Sequence, residues 1–115
     1  MNQARTDDGT TPLYMAAQNG HVDVVQHLVA AGADVNQATT DDGTTPLYMA
    51  AQNGHVDVVQ HLVAAGADVN QARTDSGGTP LHAAAQDGYV DVVQHLVAAG
   101  ADVNQARTDD GSTPL

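Results

Sequence analysis

Apolar residues along the chain recur at helical intervals. Val22, Val25, Leu28 and Val29 follow the i, i+3, i+6, i+7 spacing and share one side of a helix, with Asp23, Gln26 and His27 on the other. The same pattern returns twice, so the spacing predicts second helices over 22–31, 56–65 and 90–99. Each is preceded by a shorter segment rich in small residues, predicting first helices over 12–19, 46–53 and 80–87. Thr45 suits an N-cap, Pro46 the first helical position, and Gly54 and Gly66 the left-handed stops after each helix of the pair. Val-Asp-Val-Val could pass locally for a strand and Asn19-Gly20 for a hairpin turn. The helical period on both sides outweighs both readings. Between pairs, the stretch 33–44 is polar and reads as a loop or short hairpin-like finger, with Val35 tucked under the second helix. The expected core is Leu13, Val22, Val25, Leu28, Val29 and Val35 with their equivalents.

The pattern is a repeat. Thr-Pro-Leu recurs at Thr11, Thr45, Thr79 and Thr113, 34 residues apart each time, and Gly-Ala-Asp-Val-Asn recurs in register from Gly32, Gly66 and Gly100. The stretch 6–38 is identical to 40–72, while the third copy departs at a few positions. A fixed period of this length means stacked units, each burying its apolar stripe against its neighbours. The expected organisation is a single domain over 1–115, with units at about 6–39, 40–73 and 74–107 and a partial fourth over 108–115.

Thr79-Pro80-Leu81-His82-Ala83-Ala84, followed by Gly88, Val92-Val93, Leu96 and Gly100-Ala101-Asp102-Val103-Asn104, resembles the ankyrin repeat over essentially the whole chain. The resemblance implies an all-α solenoid of stacked antiparallel helix pairs with projecting β-turn or hairpin fingers. It also implies protein binding through finger tips and the concave helix face, with no catalysis and no cofactor. Three departures stand out. The period is 34, against about 33 in the family. Tyr14 and Tyr48 replace the signature histidine, where a tyrosine hydroxyl could partly substitute for its hydrogen bond. The ends lack polar capping repeats. The third unit also exchanges Tyr48 and His55 of the second for His82 and Tyr89, which either compensation between neighbouring repeats or drift would produce.

Composition narrows the chemistry. All 14 acidic residues are aspartate, against three arginines, and the net charge is −11. Such a surface repels nucleic acid and anionic membranes. The regular Val and Leu spacing argues against acidic disorder. With no cysteine, thiolate metal sites and disulfides are excluded. No apolar run is long enough to span a membrane and the first residues lack a signal-peptide layout, so the expected setting is cytoplasmic or otherwise intracellular. His27, His61 and His95 form a row, but neighbouring helices lie ~8–10 Å apart, too far for a shared metal. Asp7-Asp8, Asp41-Asp42 and Asp109-Asp110 read as solvated turns rather than acid–base or calcium sites. The only serines, Ser76 and Ser112, lie in loops outside any nucleophile motif, so an enzyme is not expected.

The expected function is a protein-recognition module or scaffold whose partner carries a basic patch. The candidate contact residues are the finger positions Asp41, Asp42, Thr44, Asp75, Ser76 and Gly78. Helix positions Gln18, Asn19, Gln52, Asn53, Gln86 and Asp87, which match the family's variable concave sites, join them. The alternative is a designed or excised array with a purely structural role, which the near-identity of the repeats favours. Uncapped ends further predict head-to-tail self-association.

Overall fold

A computed structural model describes residues 9–114 of the chain. Six helices follow one another: α1 Pro12–Asn19, α2 Val22–Ala30, α3 Pro46–Gln52, α4 Val56–Ala64, α5 Pro80–Gln86 and α6 Val90–Ala98. Each odd helix begins on an extended threonine whose hydroxyl accepts an amide hydrogen from the third helical residue, with proline in the first turn. Each ends where a glycine enters the left-handed region, at φ +73° for both Gly20 and Gly54. The next amide closes the turn: His21 N donates to Ala16 O at 3.0 Å and His55 N to Ala50 O at 2.9 Å. The even helices have no side-chain cap, and Asp23, Asp57 and Asp91 in their first turns complement the positive end of the helix dipole. α1 has the expected bounds, and the other five helices end one residue short of theirs. Alanine caps the even ones ahead of the turn glycine, and Asn53 and Asp87 are caps rather than helical residues.

The pairs stack in two layers. α1 packs on α3 and α3 on α5, while α2 packs on α4 and α4 on α6. Ala16, Ala17, Ala50, Ala51 and Ala84 are buried and keep the odd-helix layer close. Leu13, Leu47 and Leu81 fill the centre of each pair, and Leu62 and Leu96 close it from the second helix.

Burial changes in steps along the stack, and the steps reveal which side of each helix meets which neighbour. Val24 is 47% exposed, whereas its equivalents Val58 and Val92 are each 1% exposed. That position therefore faces the preceding unit. Val25 and Val59 are buried while Val93 is only half-buried, so that position faces the following unit. Val22 and Val56 are half-buried, but Val90 is 62% exposed, again for want of a following unit among the described residues. The expected core thus needs correction. Val58 and Val92 belong to it, and Val22, Leu28, Val29 and Val35 are half-buried, while the equivalents Leu62, Leu96 and Val69 are buried as expected. A helix between two neighbours buries two flanks, and the single stripe read from periodicity is too narrow.

Between pairs, no strand forms among the described residues. The fingers are tight turns: Thr39 N donates to Thr44 O at 2.9 Å and Gly43 N to Thr39 O at 3.2 Å. Successive fingers are tied by Thr74 N to Asp42 O at 2.8 Å and Thr108 N to Ser76 O at 2.9 Å. These bonds between neighbouring fingers leave no continuous ladder, so the turn form of the expected finger is the one adopted. Below the fingers, Asn36 Oδ1 accepts from Asp68 N and Asn70 Oδ1 from Asp102 N, both at 2.7 Å. No helix among the described residues is long and apolar enough to cross a membrane.

Candidate recognition surface

The finger is built around Asp42. Its Oδ1 accepts the hydroxyls of Thr39 at 2.7 Å and Thr44 at 2.6 Å, and the Thr44 amide at 3.2 Å. Its Oδ2 meets Arg73 of the next finger at 3.0 Å. Burial pushes the Asp42 carboxyl up, but the Thr44 and Thr39 hydrogen bonds and the Arg73 charge together hold it below the usual carboxylate range. Arg73 also grips Asp75, Nε to Oδ1 at 3.0 Å and a terminal nitrogen to Oδ2 at 2.6 Å. That bond lowers Asp75 and raises Arg73. The Arg73 guanidinium lies 5.4 Å from the centre of the Tyr48 ring, a cation–π distance.

The third unit solves the same turn differently. Ser76 stands where Asp42 does, and Gly78 where Thr44 does. Ser76 Oγ accepts the Gly78 amide at 3.1 Å. In the last finger Asp110 returns together with a hydroxyl, accepting the Ser112 amide at 2.9 Å and hydroxyl at 2.7 Å. These bonds lower Asp110. Where the turn has aspartate, the residue two places on brings a hydroxyl to it; where it has serine, that residue is glycine. This pairing was legible in the sequence as an Asp-x-Thr turn signal.

This geometry sorts the candidate contact residues. Thr44 is 2% exposed and Gly78 is buried, so neither presents a side chain to a partner. Both lie at the base of the finger, packed beneath the turn. Asp42 is half-buried and saturated by its own turn and Arg73, and Ser76 is half-buried with its hydroxyl engaged. Asp41, Asn19, Asn53, Asp75, Gln86 and Asp87 are exposed, and Gln18 and Gln52 are half-buried. Two of these are also ties between units. Asn53 Nδ2 and His55 Nε2 both donate to Gln18 O at 3.0 Å.

The exchange of tyrosine and histidine also acquires a physical meaning. His82 completes a reciprocal capping box, accepting the Thr79 amide on Nδ1 at 3.1 Å while Nε2 donates to Ser112 O at 3.1 Å. Tyr48 makes no such box; its ring instead lies beneath Arg73. At the other exchanged position, the His55 ring covers Gly20 and the Tyr89 ring covers Gly54, so close that a Cβ added to Gly54 would lie 2.6 Å from Tyr89. The two exchanges touch different partners, which gives no support to mutual compensation. On the even helices, Gln26 donates to His61 Nε2 and Gln60 to His95 Nε2, both at 2.8 Å. Amides thus lie beside these ring nitrogens, and no group of three His or Asp side chains converges among the described residues.

Stacked helix pairs tied by threonine-capped starts, glycine stops and linked finger turns define a helical repeat solenoid. The comparisons name its kind. A family model described as ankyrin repeats in three copies matches residues 1–73, and one described as ankyrin repeat matches 76–108. The chain belongs to the ankyrin repeat family. It is similar to ankyrin repeat domain-containing protein 49 of Bos taurus, 61% identical over 31 residues, which is 27% of this chain and 13% of that protein. The Homo sapiens protein of the same name is 58% identical over 31 residues, again 27% of this chain and 13% of that protein. The match therefore spans about an eighth of the length of these relatives. Ankyrin repeats are generally protein-interaction modules without catalysis.

Proposed function

We propose that the chain is a single recognition module that binds another protein through its finger tips and the ends of its odd helices, and that the partner presents a basic patch. What carries this reading is the exposed acidic residues of successive fingers, Asp41 and the Arg73-paired Asp75, together with the polar positions Gln18, Asn19, Gln52, Asn53, Gln86 and Asp87. Thr44, Gly78, Asp42 and Ser76 support the surface from beneath. Opposite charge on the partner would steer association more than it fixes final affinity. The test is capture of partners by the immobilised chain, with and without added salt, followed by the variants Asp41→Lys and Asp87→Lys. Weakened capture by both variants and by salt supports the reading. Undiminished capture by the variants would remove the acidic surface from it, and no saturable partner at all would favour a purely structural array.

A second reading, self-association, is favoured by the burial steps. Val90 and Val97 at one end, and Met15 and Val24 at the other, are exposed. Their equivalents Val56, Val63, Met49 and Val58 are covered, at least in part, within the stack. One copy could therefore dock its last helix pair on the first pair of another, a head-to-tail contact that need not close. Sedimentation velocity over a wide concentration range tests this. A clean monomer at high concentration and high salt, where charge repulsion is screened, would rule it out.

A further inference from the structure

The turn inside the first two helix pairs is Asn-Gly, at Asn19-Gly20 and Asn53-Gly54, and in the third it is Asp87-Gly88. We propose that Asn19 and Asn53 are sites of spontaneous deamidation, and that the fold makes Asn19 the faster of the two. The backbone nitrogen of the following glycine, once deprotonated by solvent base, attacks the asparagine Cγ. A Cγ–N bond forms, the Cγ–Nδ2 bond breaks, and ammonia leaves, carrying the proton it gains. Water then opens the cyclic imide. Cleavage at Cγ gives aspartate; cleavage at the main-chain carbonyl gives isoaspartate, whose backbone runs through the former side chain. The sum is one water consumed and one ammonia released, with no oxidant or enzyme required.

Glycine favours the attack because no Cβ shields its nitrogen. Asn19 and Asn53 are both exposed, so water reaches them. The fold restrains both through the glycine amides, Gly20 N donating to Ala17 O at 3.3 Å and also to Ala16 O, and Gly54 N to Ala51 O at 3.2 Å. Each must wait for the last helical turn to open, a local event far cheaper than global unfolding. Asn19 is the last residue of α1 while Asn53 is the cap after α3, and the two sites differ also in the leaving amide. Asn53 Nδ2 is held by Gln18 O at 3.0 Å, across the junction between the first and second pairs. The described residues show no corresponding acceptor for Asn19. Opening at Asn53 must also break this tie.

The products differ as well. Aspartate at position 53 would lose the donor to Gln18 O and set a carboxylate against that carbonyl. Aspartate at position 19 only adds charge at an exposed helix end, a state the third pair already carries in Asp87. Isoaspartate at either site would lengthen the backbone immediately before a glycine at φ +73°.

The residues flanking the two sites are identical, because 6–38 repeats as 40–72, so unfolded chains supply the control. The intact chain is incubated at mildly alkaline pH, folded and in concentrated urea, and conversion is followed by peptide mass spectrometry with fragmentation that distinguishes isoaspartate. The expected result is equal rates at Asn19 and Asn53 in urea, and conversion several-fold faster at Asn19 than at Asn53 in the folded chain. Asn53 reacting as fast as Asn19 when folded, or neither reacting when folded while both react in urea, would overturn the proposal.

Discussion

Asp42 shows how much a single carboxylate can organise. It is the shared acceptor for two threonine hydroxyls and an amide, and its other oxygen reaches the neighbouring finger. Asp42→Ala leaves the buried hydroxyls of Thr39 and Thr44 without that partner, and should cost about 1–3 kcal/mol in urea unfolding. The pH dependence follows from direction alone. Asp42, Asp75 and Asp110 are all lowered in the folded chain, so their stabilisation is in place above the unfolded carboxylate pKa of about 4. It is lost as pH falls through the still lower folded values. Melting temperature should therefore decline below about pH 5 as these carboxylates protonate, and Asp42→Asn should shrink the decline. A melting temperature independent of pH down to about 3 would remove the linkage. Sequence places Asp42 and Thr44 at the finger, and what it does not show is that the short reach between residues two apart turns their side chains on each other.

At the scale of the element, the starts of the odd helices were legible because threonine followed by proline offers one low-energy arrangement, and all three threonines adopt it. The third start carries more side-chain hydrogen bonds than the second. Thr79→Ala removes a hydroxyl that accepts the His82 amide and lies 2.9 Å from His82 Nδ1, while Thr45→Ala removes only the bond from the Tyr48 amide. Both changes should lie within the ~0.5–2 kcal/mol usual for a lost cap, with Thr79→Ala the larger. Equal losses by differential scanning calorimetry would mean the capping box adds nothing. Leu62 is buried between neighbours on both sides, whereas its counterpart Leu28 is half-buried. Leu62→Ala should cost ~2–5 kcal/mol and Leu28→Ala clearly less. A urea midpoint that barely moved for Leu62→Ala would remove it from the core. What the sequence hid was the second flank of each even helix. Periodicity describes one helix in isolation, and Val58 and Val92 become core residues only when another unit lies against them.

Over the whole molecule, the excess of aspartate sets a response to salt. Asp41 and Asp75 recur at successive fingers, and Arg73 neutralises only part of that charge. Repulsion is screened over ~8 Å at physiological ionic strength. Melting temperature should rise between low salt and roughly 0.2 M NaCl, and a flat or falling trend would mean the finger carboxylates are already compensated. The burial steps carry a different consequence. Val24 and Val58 occupy identical sequence contexts, yet one residue is about half open to water and the other is sealed. Replacing Val24 with a polar residue should therefore cost clearly less than the same replacement at Val58. If one more helix pair were joined ahead of α1, Val24 would pass from the tolerant kind to the intolerant kind without any change of its own. An array that retains valine there remains extendable; one that lets it drift polar has closed that end to growth.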